Sequence, residues 1–307
     1  MQVGPALIVP AHLEEICKLV VDILQGRALC QMTGDEDEDE EPGVTAEVSE
    51  YDAALIGSAL DLVGTLATAL GRDFSQLYQL FVPHMVKYYD SARPVNDRST
   101  AIGTLAEVVN GLGGAVTPHT DDFYNLFLAA MNDPEAEVRS NAAFALGSLV
   151  FQTEADLSGR YMQVLGALQP AFAGGTQDGA ALDNLKDNAC GAVGRMLIKN
   201  ANALPLDQVL PVFFGALPLR RDYAETEKAF KATFKLLREQ NPIAIAHLDH
   251  LLAVYARALA SLSAGFFPET EGAEMAEDVK NELVELLRAL NASQPDKIAA
   301  AGLTQYL

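Results

Sequence analysis

Apolar residues recur along this chain at every third or fourth position, in stretches interrupted by short segments rich in Gly, Pro, Asp and Asn. That spacing puts them on one face of a helix. It predicts helices over 6–31, 49–70, 73–89, 98–112, 121–131, 135–151, 157–173, 182–198, 206–217, 223–238, 243–262 and 275–290, and no strand. The segment from Asp133 to Leu149 shows the pattern best. Val138, Ala142, Leu146 and Leu149 share a face, Pro134 suits a first helical turn, and Asp133 is the expected N-cap.

The second helix of each consecutive pair carries one frame. From an anchor residue, apolar or small residues fall at offsets of three, seven and ten. Arg139 is followed in this way by Ala142, Leu146 and Leu149, Arg98 by Ala101, Leu105 and Val108, and Lys186 by Ala189, Val193 and Met196. Ile56 precedes Ala59, Val63 and Leu66, and Lys280 precedes Leu283, Leu287 and Leu290. Thr226 precedes Ala229, Thr233 and Leu236, with a polar residue at the middle place. Successive anchors at 56, 98, 139, 186, 226 and 280 are 42, 41, 47, 40 and 54 residues apart. HEAT and armadillo helix pairs repeat at about 40–47 residues, and a Gly-bounded loop over 265–272 lengthens the last step. The small residue at offset three lets helices approach closely, and neighbouring charges such as Asp97 with Arg98 and Glu137 with Arg139 are placed to bridge repeats. The fold class is therefore all-α, a HEAT-repeat α-solenoid of about six antiparallel helix pairs occupying 1–307.

Composition narrows the function. The chain has 307 residues, with 42 acidic and 21 basic side chains and a net charge of -21. Such a field repels nucleic acid and anionic membranes and attracts basic proteins. Three cysteines, Cys17, Cys30 and Cys190, have no metal-ligand spacing and suit a reducing compartment. The most apolar stretch, 54–71, contains Asp61, Ser58, Thr65 and Thr68 and is read as a buried helix instead of a membrane span. A start inside an apparent helix suggests part of a longer protein.

The string Asn132-Asp133-Pro134-Glu135-Ala136-Glu137-Val138-Arg139-Ser140-Asn141-Ala142, followed by Leu146-Gly147, resembles the C-terminal half of importin-β (karyopherin) family proteins. The run Leu55-Ile56-Gly57-Ser58-Ala59-Leu60-Asp61-Leu62-Val63-Gly64, after an acidic loop, is similar to the same region. The resemblance covers nearly the whole chain. It implies a nuclear import receptor that shuttles between cytoplasm and nucleus, acts as a monomer, uses no cofactor and is no enzyme. Ran-GTP binding in this family rests on N-terminal repeats outside this chain, so only cargo binding is carried over. The implied cargo is basic: histone H3 and H4 tails or the nuclear localisation signals of ribosomal proteins.

Karyopherin second helices line the concave face, which makes their outward positions candidates. Offset two gives Thr100, Asn141, Asn188 and Lys228. With Glu107, Glu137, Asp183, Asn184 and Asp187, the residues Asn141 and Asn188 form a candidate acidic, amide-lined groove for a lysine-rich segment. The alternative is that the asparagines bond across repeats and the acids are a solvated face. Asp35, Glu36, Asp37, Glu38, Asp39, Glu40 and Glu41 lie in a loop over 34–43, within the first repeat. They read either as a cargo-capturing arm or as a solubilising loop. An EF-hand match fails there, because Glu40 stands where a glycine is needed and Ala46 where a bidentate glutamate is needed.

Other motifs carry less. His247 and His250 are three apart on a helix but lack a third metal ligand. Gly111-Leu112-Gly113-Gly114 follows a helix and is read as its C-cap, not as a phosphate loop. Asn291-Ala292-Ser293 matches a glycosylation acceptor that a cytosolic protein would leave unmodified. In the doublets Tyr88-Tyr89, Phe213-Phe214 and Phe266-Phe267, one ring is expected in the core and one at the surface. No catalytic constellation is present. The rival reading is a HEAT-repeat scaffold that assembles other proteins without recognising basic peptides.

Overall fold

The computed structural model describes residues 10–31, 42–173, 179–264 and 275–307, with no strand among them. The chain forms two compact units, Met1–Ala155 and Asp156–Leu307, each a stack of HEAT-type helix pairs.

The first unit contains α1 (Pro10–Leu24), α2 (Pro42–Leu70), α3 (Tyr78–Met85), α4 (Val95–Leu112), α5 (Thr120–Ala130) and α6 (Ala136–Gln152). Helices α2, α4 and α6 lie side by side as one row, with α1, α3 and α5 as their hairpin partners. The repeat frame is the core of that row. Ala59, Val63 and Leu66, then Ala101, Leu105 and Val108, then Ala142, Leu146 and Leu149 are all buried. The approach of α4 to α2 depends on Gly111, where a Cβ would stand 2.4 Å from the backbone C and O atoms of Ala67. Gly113, at φ 54°, ends α4 in a conformation that a side chain disfavours, which accounts for the Gly-rich string as a C-cap. The segment Tyr51–Gln76, most of α2 with the 3-10 turn after it, is long and apolar enough to cross a membrane, but its Leu60, Val63 and Ala67 stripe is buried and α2 packs on α4.

The second unit contains α7 (Tyr161–Phe172), α8 (Ala180–Asn200), α9 (Leu206–Gly215), α10 (Thr226–Arg238), α11 (Pro242–Ala246), α12 (Leu248–Ala264), α13 (Glu277–Ser293) and α14 (Pro295–Ala300). Here α8, α10 and α13 form the row. Ala189, Val193 and Met196, Ala229, Thr233 and Leu236, and Leu283, Leu287 and Leu290 are buried. The hydroxyl of Thr233 stays satisfied in this core, because it lies 2.7 Å from the Phe230 carbonyl and 2.6 Å from the Tyr255 hydroxyl. Helix α10 ends in a Schellman arrangement. The Asn241 amide donates to the Leu236 carbonyl and the Gln240 amide to Leu237, with Gln240 itself at φ 53°.

Several boundaries differ from the sequence expectation. The helix expected at 49 begins at Pro42, so Pro42 and Gly43 belong to α2. The helix expected over 73–89 is divided into a 3-10 turn (Gly71–Gln76), α3 with Pro83 inside it, and a second 3-10 turn (Val86–Tyr88). The expected helix over 243–262 is broken at His247, where α11 ends. Its start is capped by the Asn241 side chain, which accepts from the amides of Ile243 and Ala244 at 3.0 and 3.2 Å. Asp133 is not the N-cap of α6, since Glu135 occupies that position. Phe213 and Phe214 are both buried, against the expected division, whereas Tyr88 is buried and Tyr89 partly exposed. Phe266-Phe267 and the Gly-bounded loop lie outside the described residues.

Candidate acidic and amide faces

In the first unit the α4–α6 seam is built from a buried ion pair and an amide. Arg98 Nε and Nη2 donate to Asp133 Oδ2 and Oδ1, both at 3.0 Å, and Arg98 Nη1 donates to the Arg93 carbonyl at 2.7 Å. Asp133 Oδ1 also accepts from the Glu135 amide at 3.0 Å. Burial alone would raise the Asp133 carboxyl, but the hydrogen bonds from Arg98 and Glu135 and the charges of Arg98 and Arg139 hold it below the ordinary aspartate value. Arg139 does not bridge repeats. Its guanidinium donates to the Asp133 and Pro134 carbonyls, both at 2.7 Å.

Asn141 and Glu137 meet at Ser99. Asn141 Nδ2 donates to the Ser99 carbonyl at 2.8 Å and lies 3.1 Å from its hydroxyl, which donates to Glu137 Oε1 at 2.7 Å. Asn141 thus has the cross-repeat role weighed as the alternative, while Glu137 stays exposed beside it. Glu107 is exposed on α4, with its Cβ 3.4 Å from where a Cβ on Gly64 of α2 would sit.

The candidates of the second unit lie on α8, and two of them are buried. Asp187 is 2% exposed, and its Oδ2 accepts three backbone amides, from Arg220 at 2.9 Å, Arg221 at 2.7 Å and Asp222 at 3.0 Å. The turn before α10 leaves these donors without helical partners, and the carboxylate satisfies them. Burial pushes the Asp187 carboxyl above its ordinary value, although the three amides pull it down. Asn188 is 6% exposed, with Nδ2 donating to the Asn184 carbonyl at 3.2 Å. Asp187 and Asn188, expected on the outward face of α8, are thus buried in the protein instead. Asp183 is partly exposed and pairs with Arg220 at 2.8 Å, and Asn184 is exposed. Asp35 to Glu41 lie outside the described residues.

An unexpected feature of this unit is the basic stripe on α10. Lys228, Lys231, Lys235 and Arg238 recur at helical spacing, at offsets two, five, nine and twelve from Thr226, so the signal was present in the sequence. Lys228 and Lys231 bind Glu227 at 2.9 and 3.0 Å, and Lys231 also binds Asp278 at 3.1 Å. Lys235 donates to the Leu197 and Ile198 carbonyls near the end of α8, both at 3.0 Å. Arg238 pairs with Glu282. The second-helix row is thus not uniformly acidic.

Nothing described converges for catalysis. Cys190 is buried and its thiol is pushed well up, away from thiolate chemistry. His247 Nδ1 lies 2.9 Å from the Ile243 carbonyl, and His250 Nε2 lies 2.9 Å from that of Phe214. A groove of about 260 Å³ between α7 and α9, lined by Met162, Leu165, Phe172, Val209 and Val212 among others, has no titratable side chain on its walls.

Residues 48–172 match the family described as importin subunit beta-1-like, TPR repeats. The probable importin subunit beta-4 of Schizosaccharomyces pombe is 39% identical over 282 residues, which is 90% of this chain and 25% of that protein. Importin-4 of Homo sapiens is 33% identical over 217 residues, covering 70% of this chain and 19% of its own length. Importin-4 of Mus musculus is 32% identical over 238 residues, with shares of 77% and 21%. The chain belongs to the importin-β family. This importin-β family chain spans a fifth to a quarter of the length of the relatives it matches.

Proposed function

We propose that this chain is a cargo-binding portion of a nuclear import receptor, working between cytoplasm and nucleus. The observation that carries this reading is the 39% identity to an importin over 90% of the chain. The net charge of -21 supports basic cargo, with lysine-rich segments such as histone tails or ribosomal-protein localisation signals as the class. The contacting groups in this reading are Glu107, Glu137 and Asn141 in the first unit and Asp183 and Asn184 in the second, each unit offering its own face. The run from Asp35 to Glu41 adds a further source of attraction. Many exposed carboxylates act together, so affinity falls steeply with salt.

Fluorescence anisotropy of a labelled lysine-rich peptide against the 307-residue chain tests this, in low and high KCl. Tight binding at low salt that is lost at high salt is expected, together with weaker binding by Glu107→Lys/Glu137→Lys. Affinity indifferent to salt would remove the electrostatic mechanism. Retention of a folded partner at high salt without peptide binding would favour a scaffold instead.

A further inference from the structure

The seams between neighbouring second helices are not built alike. Between α2 and α4, Gly111 brings backbone against backbone at Ala67. Between α4 and α6 lies the Arg98–Asp133 pair, with side chains only 8% and 5% exposed. Between α8 and α10, a Cβ on Gly194 would stand 3.0 Å from the Lys228 carbonyl oxygen. In the same seam the Glu225 carboxylate fills the space beside Gly191, and the Arg195–Glu225 pair is 6% and 3% exposed.

Among the described residues, the α10–α13 seam shows neither a close-packed glycine nor a buried ion pair. Neither helix contains a glycine. Among the described residues, its ion pairs include Lys231–Asp278, 29% and 68% exposed, and Arg238–Glu282, 45% and 28% exposed. Beside it, α14 is tied to α12 by Lys297–Asp249 at 2.7 Å, again exposed at 41% and 77%. Val279, Leu283 and Leu287 hold α13 against the core by apolar burial, which supplies no directional link of its own. The directional polar links along this seam are therefore partly exposed pairs, which are weaker and more screened by salt than the buried pairs of the other seams.

We infer that the α10–α13 seam is the flex point of the second unit: its ion pairs set how α13 and α14 sit on α10 and α12, and salt loosens this seam while the glycine-packed and buried-pair seams stay closed. The inference stands on the packing alone and does not depend on the proposed cargo.

Hydrogen exchange of the intact 307-residue chain, followed by mass spectrometry in low and high KCl, tests it. Peptides from α13 and α14 should exchange about three- to tenfold faster at high salt, the effect of screening a few exposed pairs. Peptides from α4, α6 and α8 should change less than about twofold, because buried pairs are little screened. Arg238→Glu should reproduce the acceleration at low salt, and adding Glu282→Lys should reverse it. Equal acceleration in every second helix, no salt effect in α13, or failure of Glu282→Lys to rescue would each overturn the inference. Should Arg238→Glu fail to fold, the salt series on the unaltered chain still decides.

Discussion

Replacing Asp133 with alanine probes the most buried electrostatic contact of the first unit. Both hydrogen bonds from Arg98 are lost, and the guanidinium, 8% exposed, keeps only its bond to the Arg93 carbonyl. Leaving one partner of a buried pair uncompensated costs about 3–5 kcal/mol. Loss of the acceptor for the Glu135 amide adds about 1 kcal/mol. Against a domain stability of about 5–15 kcal/mol, the variant should lose a large share of the stability of this unit. Arg98→Met/Asp133→Ala removes both charges and should recover most of that loss, since an apolar replacement avoids the desolvation cost.

Urea unfolding reads the effect, with hydrogen exchange in α4 and α6 assigning it to the first unit. The Asp133 carboxyl is held below its ordinary value in the folded chain, so its contribution is present above the unfolded value near 3.8 and is lost as pH falls through the folded value. The gap between Asp133→Ala and the unaltered chain should therefore be full at neutral pH and shrink in acid. A loss under about 1.5 kcal/mol for the single variant, with the double variant worse, would refute this account of the pair.

Two further predictions concern single positions. Gly111→Ala should destabilise the first unit by about 1–3 kcal/mol, because the new methyl meets backbone atoms of Ala67 that cannot rotate away. Gly57→Ala, in α2 with open space around it, should stabilise by about 0.5–1 kcal/mol, and thermal melts of both variants check the contrast. For Asp187 the folded value is raised, so the stability it contributes is fullest below its ordinary value and is lost as pH rises through the folded one. Asp187→Asn keeps an oxygen for the three amides and should remove this part of the pH dependence, gaining on the unaltered chain from acid to neutral in urea midpoints. A deficit that is absent in acid and grows as pH rises would show instead that the charge itself holds the turn.

What could be read in advance was the repeat frame, because helical spacing and a recurring register both act within one helix pair. Even Thr233, polar in a core position, followed the frame, although its partner Tyr255 was invisible in the spacing. What escaped reading depended on groups far along the chain. Asp133 has the chemistry of an N-cap, but Arg98, thirty-five residues earlier, claims its carboxylate. Asp187 looked like a surface acid because the three amides that bury it belong to a turn more than thirty residues later. The breaks on either side of α3 and at His247 were hidden too, because the apolar spacing there continues across them. For the candidate faces, residue type was legible but direction was not: Glu137 remained outside while Asp187 and Asn188 turned in.

The recurring separation of these contacts bears on how the chain is made. Asn141 reaches Ser99 and Gln152 reaches Asn110, both 42 residues back, and Asn200 reaches Ser158 at the same distance. A partner one repeat earlier has already left the ribosome when each new helix appears. Each helix pair in a unit can then settle on its predecessor during synthesis, without waiting for the far end of the chain.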